Sequence, residues 1–589
     1  MSRRTWFVSL ALIGAAGALG LALSLPSQEP RLLLAGSVGE GAPEPEMEPL
    51  PPFDPDAESQ ARVDRIKQRP LLIEGLIGSA GSGNTGTAYG AGGLGTKGTG
   101  LGGGGLGSSG YGSSGYGKGE GQVRRAPPPS SEHFTDYGTN ELVLSATDRL
   151  STFSIDVDTG SYTLARSSLN GGSLPATSAV RVEEFVNYFD YGYIGPTNGA
   201  PFAVNMEAAP SPWDPTRHVL RIGVQADRLE GHARKPVRLV FLVDVSGSMS
   251  GNGRLELAKQ SLTDLVGRLG PEDSVGLVTY AGAVKRVLEP TSCTEKERIL
   301  QALDELRPGG GTAMGSGIDL AYAMAEEAFV RGAENRVVVL SDGDANVGAR
   351  THEQMLESIR GYARRGITLS TVGFGRGNYK DTLMEQLANE GDGNYSYVDS
   401  LKEGRRLFGE RLGGTIQTVA RDVKIQVEFE PEAVLAYRLI GYENRDIADR
   451  DFRNDRVDAG EIGSGHSVTA LYELVLREDR GEAALATVRL RAKPAGADRP
   501  AEEWTTSFSS RLLREELADA SPSFRLALGV ASFAELLRAS PHVEELRYAQ
   551  VWQLVDGARR PSDEASAELL ELIAQAARMS GEGSGLASR

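Results

Sequence analysis

The chain has 589 residues, room for about four domain-sized pieces at roughly 150 residues each, and its 62 Lys and Arg stand against 79 Asp and Glu, a net charge of −17. Nucleic-acid affinity rests on neutralising phosphates with cations, so this balance excludes a phosphate-backbone binder. One cysteine, Cys293, excludes an intrachain disulfide, a thiolate metal cluster and a Cys-anchored lipoprotein signal, and it reads as a small packed hydrophobe.

Residues 1–30 read as an export element. Arg3 and Arg4 precede an apolar stretch from Thr5 to Leu25, followed by a polar run from Pro26 to Pro30. The stretch is longer than a signal core of about 7 to 15 residues and close to the roughly 20 that span a bilayer, so the segment is expected to be a signal peptide or an N-terminal membrane anchor. Paired arginines also allow a twin-arginine signal. Residues 31–130 are rich in Pro, Gly, Ser and acidic groups, with 22 of the 74 glycines between Gly75 and Gly121. That composition predicts a disordered tether, interrupted by a possible short helix over 58–67, whose coil reach is roughly 50 to 60 Å.

A first flanking module is expected over 131–235. It contains a strand near Thr152, a helix over Val180–Phe189 and alternating strands at Phe202–Ala208 and Val219–Val224. Asp156-x-Asp158-x-Gly160 suggests a calcium loop, but an EF-hand needs Glu at its twelfth position and residue 167 is Ser, so a strand leading into a capped helix is the better reading. From 236 to 405 the pattern becomes continuous apolar strands (237–243, 274–280, 336–341, 367–373) separated by helical stretches (255–269, 295–306, 318–329, 353–365). Such strands are buried on both faces, so this is a doubly wound α/β domain with a mostly parallel sheet. A β-rich module over 406–515 has alternating strands at 423–429, 467–476 and 486–491. The strands on either side of the α/β domain are expected to form one β-sandwich into which it is inserted. Residues 516–589 form a helical module, with helices near 524–539, 544–555 and 563–579; within it Leu546, Ala549, Val551, Trp552 and Val555 have the spacing of a packed face.

In doubly wound sheets ligands bind beyond the carboxyl ends of the strands. There the first strand leads into Asp244-x-Ser246-x-Ser248, a Gly309–Gly311 run precedes Thr312, and a later strand ends at Asp342. Taken singly these residues read as helix caps and turns. Together, two carboxylates and three hydroxyls make a hard-oxygen set suited to Mg²⁺, or to Mn²⁺ or Ca²⁺. Asp344 and Asn346 lie close by in sequence. None of the six histidines falls beside these turns or in an H-E-x-x-H pattern, and no general base or nucleophile accompanies them, which argues for recognition over turnover.

This order and spacing resembles the metal-ion-dependent adhesion site of the von Willebrand factor type A family, over about 236–405. The resemblance implies that Ser246 and Ser248 hold the ion directly and that Thr312 does so directly or through water. Asp244 and Asp342 would hold ligand waters, and an Asp or Glu of a partner protein would complete the shell. The whole order, from about 131 to 575, resembles a bacterial group of exported type A proteins in which the Thr152–Tyr191 region and the stretch around Leu546–Trp552 recur. That implies a non-enzymatic adhesion, scaffold or assembly module in the periplasm or cell envelope, tethered at its N-terminus. The alternatives are a metal-dependent hydrolase and a structural envelope protein whose ion ties loops together. One possible span, at the start of the chain, argues against pore formation.

Overall fold

The computed structural model describes residues 134–229, 234–311, 313–343, 352–375, 381–494, 500–560 and 562–582. The expected export segment, the tether with its short helix, Thr312, Asp344 and Asn346 lie outside them. Among the described residues, no helix is long and apolar enough to cross a membrane.

Before the α/β domain the chain lays down β1 (Val143–Leu144), β2 (Leu150–Ser154), β3 (Phe202–Pro210) and β4 (His218–Ala226), with helices at Gly160–Asn170 and Val182–Tyr188 between β2 and β3. The α/β domain supplies β5 (Val237–Asp244), β6 (Ser274–Tyr280), β7 (Val284–Ser292), β8 (Glu334–Ser341), β9 (Ile367–Phe374) and β10 (Tyr395–Val398). After it come β11 (Thr418–Phe429), β12 (Val434–Ile440), β13 (Gly460–Gly463), β14 (Ser467–Leu476), β15 (Ala484–Pro494) and β16 (Glu502–Ser509), then helices at Pro522–Leu537, Tyr548–Asp556 and Glu564–Met579.

The α/β sheet runs β10-β9-β8-β5-β6-β7. Its strands pair in parallel except β7, which returns antiparallel on β6. Every residue of β8 and β9 is buried. The reason is that helices cover both faces, giving one core around Leu239, Phe241 and Leu262 and another around Leu242, Val339 and Ile318. Cys293 is one of the buried apolar groups of the first core.

The flanking strands form a sandwich, as their alternation predicts. One sheet runs β1-β12-β14-β4-β3; in the other, β11 links β13, β15 and β2, and β16 closes the far edge. Strands from before and after the α/β domain therefore sit side by side, β4 against β14 and β2 against β11. The inward residues Phe153, Ile222, Val224, Ile425, Val427 and Tyr472 form the core between the sheets.

A third layer joins parts of the chain that no local pattern relates. The two early helices pack with the three C-terminal ones, Tyr162 and Phe185 sharing a core with Phe533, Val551 and Leu569. Arg166, only 3 % exposed, fixes this layer to the α/β domain through Asp399 (2.6 Å) and Glu403 (2.7 Å), and it also reaches Glu568 (3.2 Å). Leu546, Val551 and Val555 are buried, with Trp552 packed beside them. Leu546 itself precedes the helix, which begins at Tyr548 rather than near Glu544.

The Asp156–Gly160 segment joins the layers instead of forming a loop for an ion. Asp156 Oδ1 accepts the Asp158 N–H at 2.8 Å, and Asp158 Oδ1 accepts the Tyr395 N–H of the α/β sheet at 2.8 Å. Arg445 pairs with Asp156 (3.1 Å), Asp158 (3.3 Å) and Glu385 (3.5 Å). The helix that follows starts at Gly160, and the Thr159 side chain before it makes no cap bond.

Candidate metal centre

β5 and β8 are neighbours, although β6 and β7 intervene in sequence. The chain leaves β5 toward one edge of the sheet and returns at β8 to build the other, so the crevice beyond their carboxyl ends is the topological switch point. Asp244 ends β5 and Asp342 follows β8 there. The loop after β5 is pinned by Val245 donating to Tyr280 O (3.0 Å), Gly247 to Gly310 O (3.1 Å) and Gly309 to Val245 O (2.7 Å). The Gly309–Gly311 run that introduces Thr312 is thereby held against the serine turn.

Asp244 is fully buried and Asp342 is 3 % exposed. Asp244 Oδ1 accepts the Ser246 N–H at 2.8 Å and Oδ2 the Ser341 hydroxyl at 3.1 Å. Burial pushes the Asp244 carboxyl above its ordinary range; its bonds from Ser246 pull the other way, and the nearby Asp342 charge adds to the rise. Among the described residues, no cationic side chain contacts Asp244. The Ser246 and Ser248 hydroxyls lie 2.9 Å apart, with Ser246 buried and Ser248 half-buried. Neither caps a helix: the helix at Arg254–Arg268 starts from Gly253, and Ser246 makes no cap bond to the 3₁₀ stretch after it. The turn after Asp342 is held by Gly343 donating to the Ser341 hydroxyl at 3.0 Å, so turn formation does not explain the Asp342 side chain.

Two buried carboxylates with two convergent hydroxyls and no nitrogen or sulfur donor fit a hard divalent cation. Tyr280, fully buried, sets its hydroxyl beside Ser341 and Asp244, and burial, then the Asp244 charge, push it well above its ordinary range.

Sequence reasoning missed Arg254. Its Nη1 donates to Asp342 Oδ2 at 2.7 Å and to Ser248 O at 3.1 Å, placing a guanidinium against one carboxylate of the set. Its side chain passes under Gly375, where a Cβ would collide with it and where φ is +90°. An arginine at the start of an ordinary amphipathic helix gives no sequence signal of such a role.

A second acidic group was also not foreseen. Carboxylate oxygens of Asp392, Asp458 and Glu461 all lie within 4.8 Å of one another, where the α/β domain meets the sandwich. Burial, then mutual repulsion, raises the Glu461 carboxyl well above its ordinary range, and Asp392 and Asp458 shift the same way. The described histidines are engaged elsewhere or shifted by burial. His352 pairs with Gln386 at 2.9 Å, and desolvation lowers His466 to about 3 and His542 to about 4.

Residues 239–409 match the family profile described as von Willebrand factor type A domain, 128–221 the one described as von Willebrand factor, and 414–579 the one described as uncharacterized protein YfbK, C-terminal. The chain is 36 % identical over 465 residues to uncharacterized protein YfbK of Escherichia coli K12, covering 76 % of this chain and 81 % of that one. It belongs to the YfbK family of von Willebrand factor type A proteins. Human inter-alpha-trypsin inhibitor heavy chain H3 is 26 % identical over 272 residues, 41 % of this chain and 29 % of that one. A 112-residue stretch is 38 % identical to the magnesium-chelatase 60 kDa subunit of Rhodobacter capsulatus, 18 % of this chain and 19 % of that subunit. Among solved structures, a von Willebrand factor type A protein from Catenulispora acidiphila covers 63 % of this chain and 89 % of its own at 16 % identity, with a TM-score of 0.39. The family carries a domain of the protein-interaction type.

Proposed function

We propose that the protein is an extracytoplasmic, non-enzymatic binding module that captures an acidic group of a partner protein through a divalent cation, Mg²⁺ or else Mn²⁺ or Ca²⁺, as an adhesion, scaffold or assembly factor. The observation that carries this reading is the fully buried Asp244 beside Asp342, converging with two serine hydroxyls at the switch point. Ser246 and Ser248 would hold the ion, Thr312 would join them directly or through water, and Asp244 and Asp342 would hold its waters. Neutral hydroxyl ligands leave such an ion much of its charge, which supplies the attraction for a carboxylate. A local divalent charge outweighs a diffuse net −17, because exposed charges are screened beyond about 8 to 10 Å. The apolar stretch from Thr5 to Leu25 supports export and a possible membrane tether.

The test is direct metal binding by calorimetry together with capture of a divalent-dependent partner. Asp244→Asn and Thr312→Ala should each weaken metal binding by about 10-fold or more and abolish capture, with the far-ultraviolet dichroism unchanged. Metal-independent capture that survives chelator and both substitutions would sink the proposal.

A further inference from the structure

At one edge of the sandwich, β3 is the outer strand of its sheet. Between it, the 191–200 segment and the turn after the Tyr548–Asp556 helix lies a cavity of about 550 Å³. Tyr191, Tyr193, Phe202, Met206 and Leu512 supply its apolar lining, and Arg221, Arg514, Arg559 and Arg560 its charge; Glu207 is the only acidic residue among them. Glu207 is already committed: it accepts from Arg514 (3.3 Å), Arg221 (3.4 Å) and the Ser521 N–H (2.9 Å). In an acidic protein, this is a concentrated cationic cavity with aromatic walls.

Arg559 pairs with Asp556 at 3.1 Å, whereas Arg221 and Arg560 are not fully partnered. Arg221 is 4 % exposed, and its Nε has no hydrogen-bond partner, although the guanidinium lies over the Tyr193 ring at 5.2 Å and the Phe524 ring at 5.5 Å. Arg560 is exposed and makes no ion pair among the described residues; its Nη2 sits 3.0 Å from where a Cβ would be on Gly192.

We propose that this cavity binds the chain's own acidic, proline-rich segment, residues 48–56. Its sequence is Glu48-Pro49-Leu50-Pro51-Pro52-Phe53-Asp54-Pro55-Asp56. A polyproline II helix has about 3 residues per turn. At that period Pro49, Pro52 and Pro55 fall on one edge, and Leu50 and Phe53 on a second. Proline-rich segments in this conformation dock into aromatic-lined grooves because little chain entropy remains to be lost. The charges are complementary: from residue 32 to 61 there are seven acidic residues and no Lys or Arg. Reach is sufficient. The residues from 57 to 133 would give a Gly-rich coil a mean reach of about 50 Å, against a radius of gyration of about 22 Å for a body of some 450 residues. Covalent linkage also raises the effective concentration of the segment to about millimolar, so modest contacts suffice to hold it. Docking would shorten the link between the export segment and the head.

The test is hydrogen–deuterium exchange on the full-length chain, with a synthetic peptide of residues 43–58 as the unbound reference. The amides of Leu50, Phe53, Asp54 and Asp56 should exchange about 10-fold or more slowly than in the free peptide. Arg560→Glu, an exposed change that leaves the fold intact, should return them to the peptide rate, as should Phe53→Ser, and Asp54→Arg in the Arg560→Glu background should restore protection. Deleting 43–58 should expose the 191–197 amides, and added peptide should protect them again. Peptide-rate exchange in the unmutated chain overturns the proposal, as does protection that survives both Arg560→Glu and Phe53→Ser. Protection that disappears on dilution together with a dimer mass would assign the cavity to the segment of a second copy. Stoichiometric oleate binding to the deletion variant, without peptide binding, would assign it to a small amphipathic anion.

Discussion

Two acidic groups sit where the α/β domain meets the sandwich, and they solve the same electrostatic problem differently. Asp156, Asp158 and Glu385 converge on Arg445, which is buried to 11 % exposure and pairs with all three. Asp392, Asp458 and Glu461 have carboxylate oxygens within 4.8 Å of one another, and Arg421 acts on Asp392 and Glu461 electrostatically with no ion pair to any of the three among the described residues. Even with a guanidinium supplied, burial and then the Asp156 charge raise the Asp158 carboxyl well above its ordinary range, Arg445 pulling the other way, while the same side chain orients backbone at Tyr395. The Glu461 carboxyl rises in the same direction, from burial and then the Asp392 and Asp458 charges, with no ion pair among the described residues to hold it. The Asp244 and Asp342 pair belongs between these cases: Asp342 has Arg254, Asp244 has no ion pair among the described residues, and it is this pair that lies beside the Ser246 and Ser248 hydroxyls.

The largest effect is expected from breaking the neutralised group. Arg445→Ala leaves buried carboxylates without their counter-ion, which typically costs about 3–5 kcal/mol; calorimetry should record a large fall in Tm, and an unchanged Tm would show that the seam tolerates the charges. Next comes Gly375→Ala. Its φ of +90° and the Arg254 side chain above it leave no room for a Cβ, so about 1–3 kcal/mol of strain is expected, together with altered affinity for divalent cations. Alanine at Gly332, in the turn before β8, whose φ is +88° with open space around it, should cost only the strain and leave metal affinity unchanged.

Smaller effects sharpen the contrast through pH. The Glu461 pKa is raised in the folded state, so the stability it contributes is fully present below its unfolded value, near 4.3, and is lost as pH rises through its folded value. In chelator, the protein should therefore lose stability from about pH 4 upward on account of this group. Glu461→Gln should flatten that limb and raise Tm at pH 8 by on the order of a few °C, whereas Glu385→Gln, beside Arg445, should not. The smallest change is expected from Arg286→Ala. Its pairs with Glu327 and Glu289 lie on the surface, and its removal should leave Tm unchanged within error.

Much of the fold was legible because local pattern and tertiary role coincide. β5, β6, β8 and β9 are continuous apolar runs, since both faces are covered, and the Ser467–Leu476 strand was readable end to end from its alternation and β-branched residues. Edge elements were not. β7 reads VKRVLEPTS, with a half-exposed pattern and an internal proline that a central strand would not tolerate, and β13 is four residues long with two glycines. The early helices were visible in part, but their partners lie more than 300 residues away at Pro522–Met579, a distance no local pattern encodes.

The sequence by itself determined the chemistry of this protein: which strand ends carry oxygen donors, that neither His nor Cys accompanies them, and that an acidic, glycine-rich stretch precedes the folded head. Only the tertiary structure decided which of those groups meet. Sheet order made β5 and β8 neighbours and so brought Asp244 to Asp342. Insertion of the α/β domain into the sandwich placed Arg445 on Asp156 and Asp158 and left Glu461 without an ion pair among the described residues. The reason is physical: residue type and spacing set what a side chain can do, whereas burial and the charge of its neighbours are properties of surfaces that exist only after distant segments have packed.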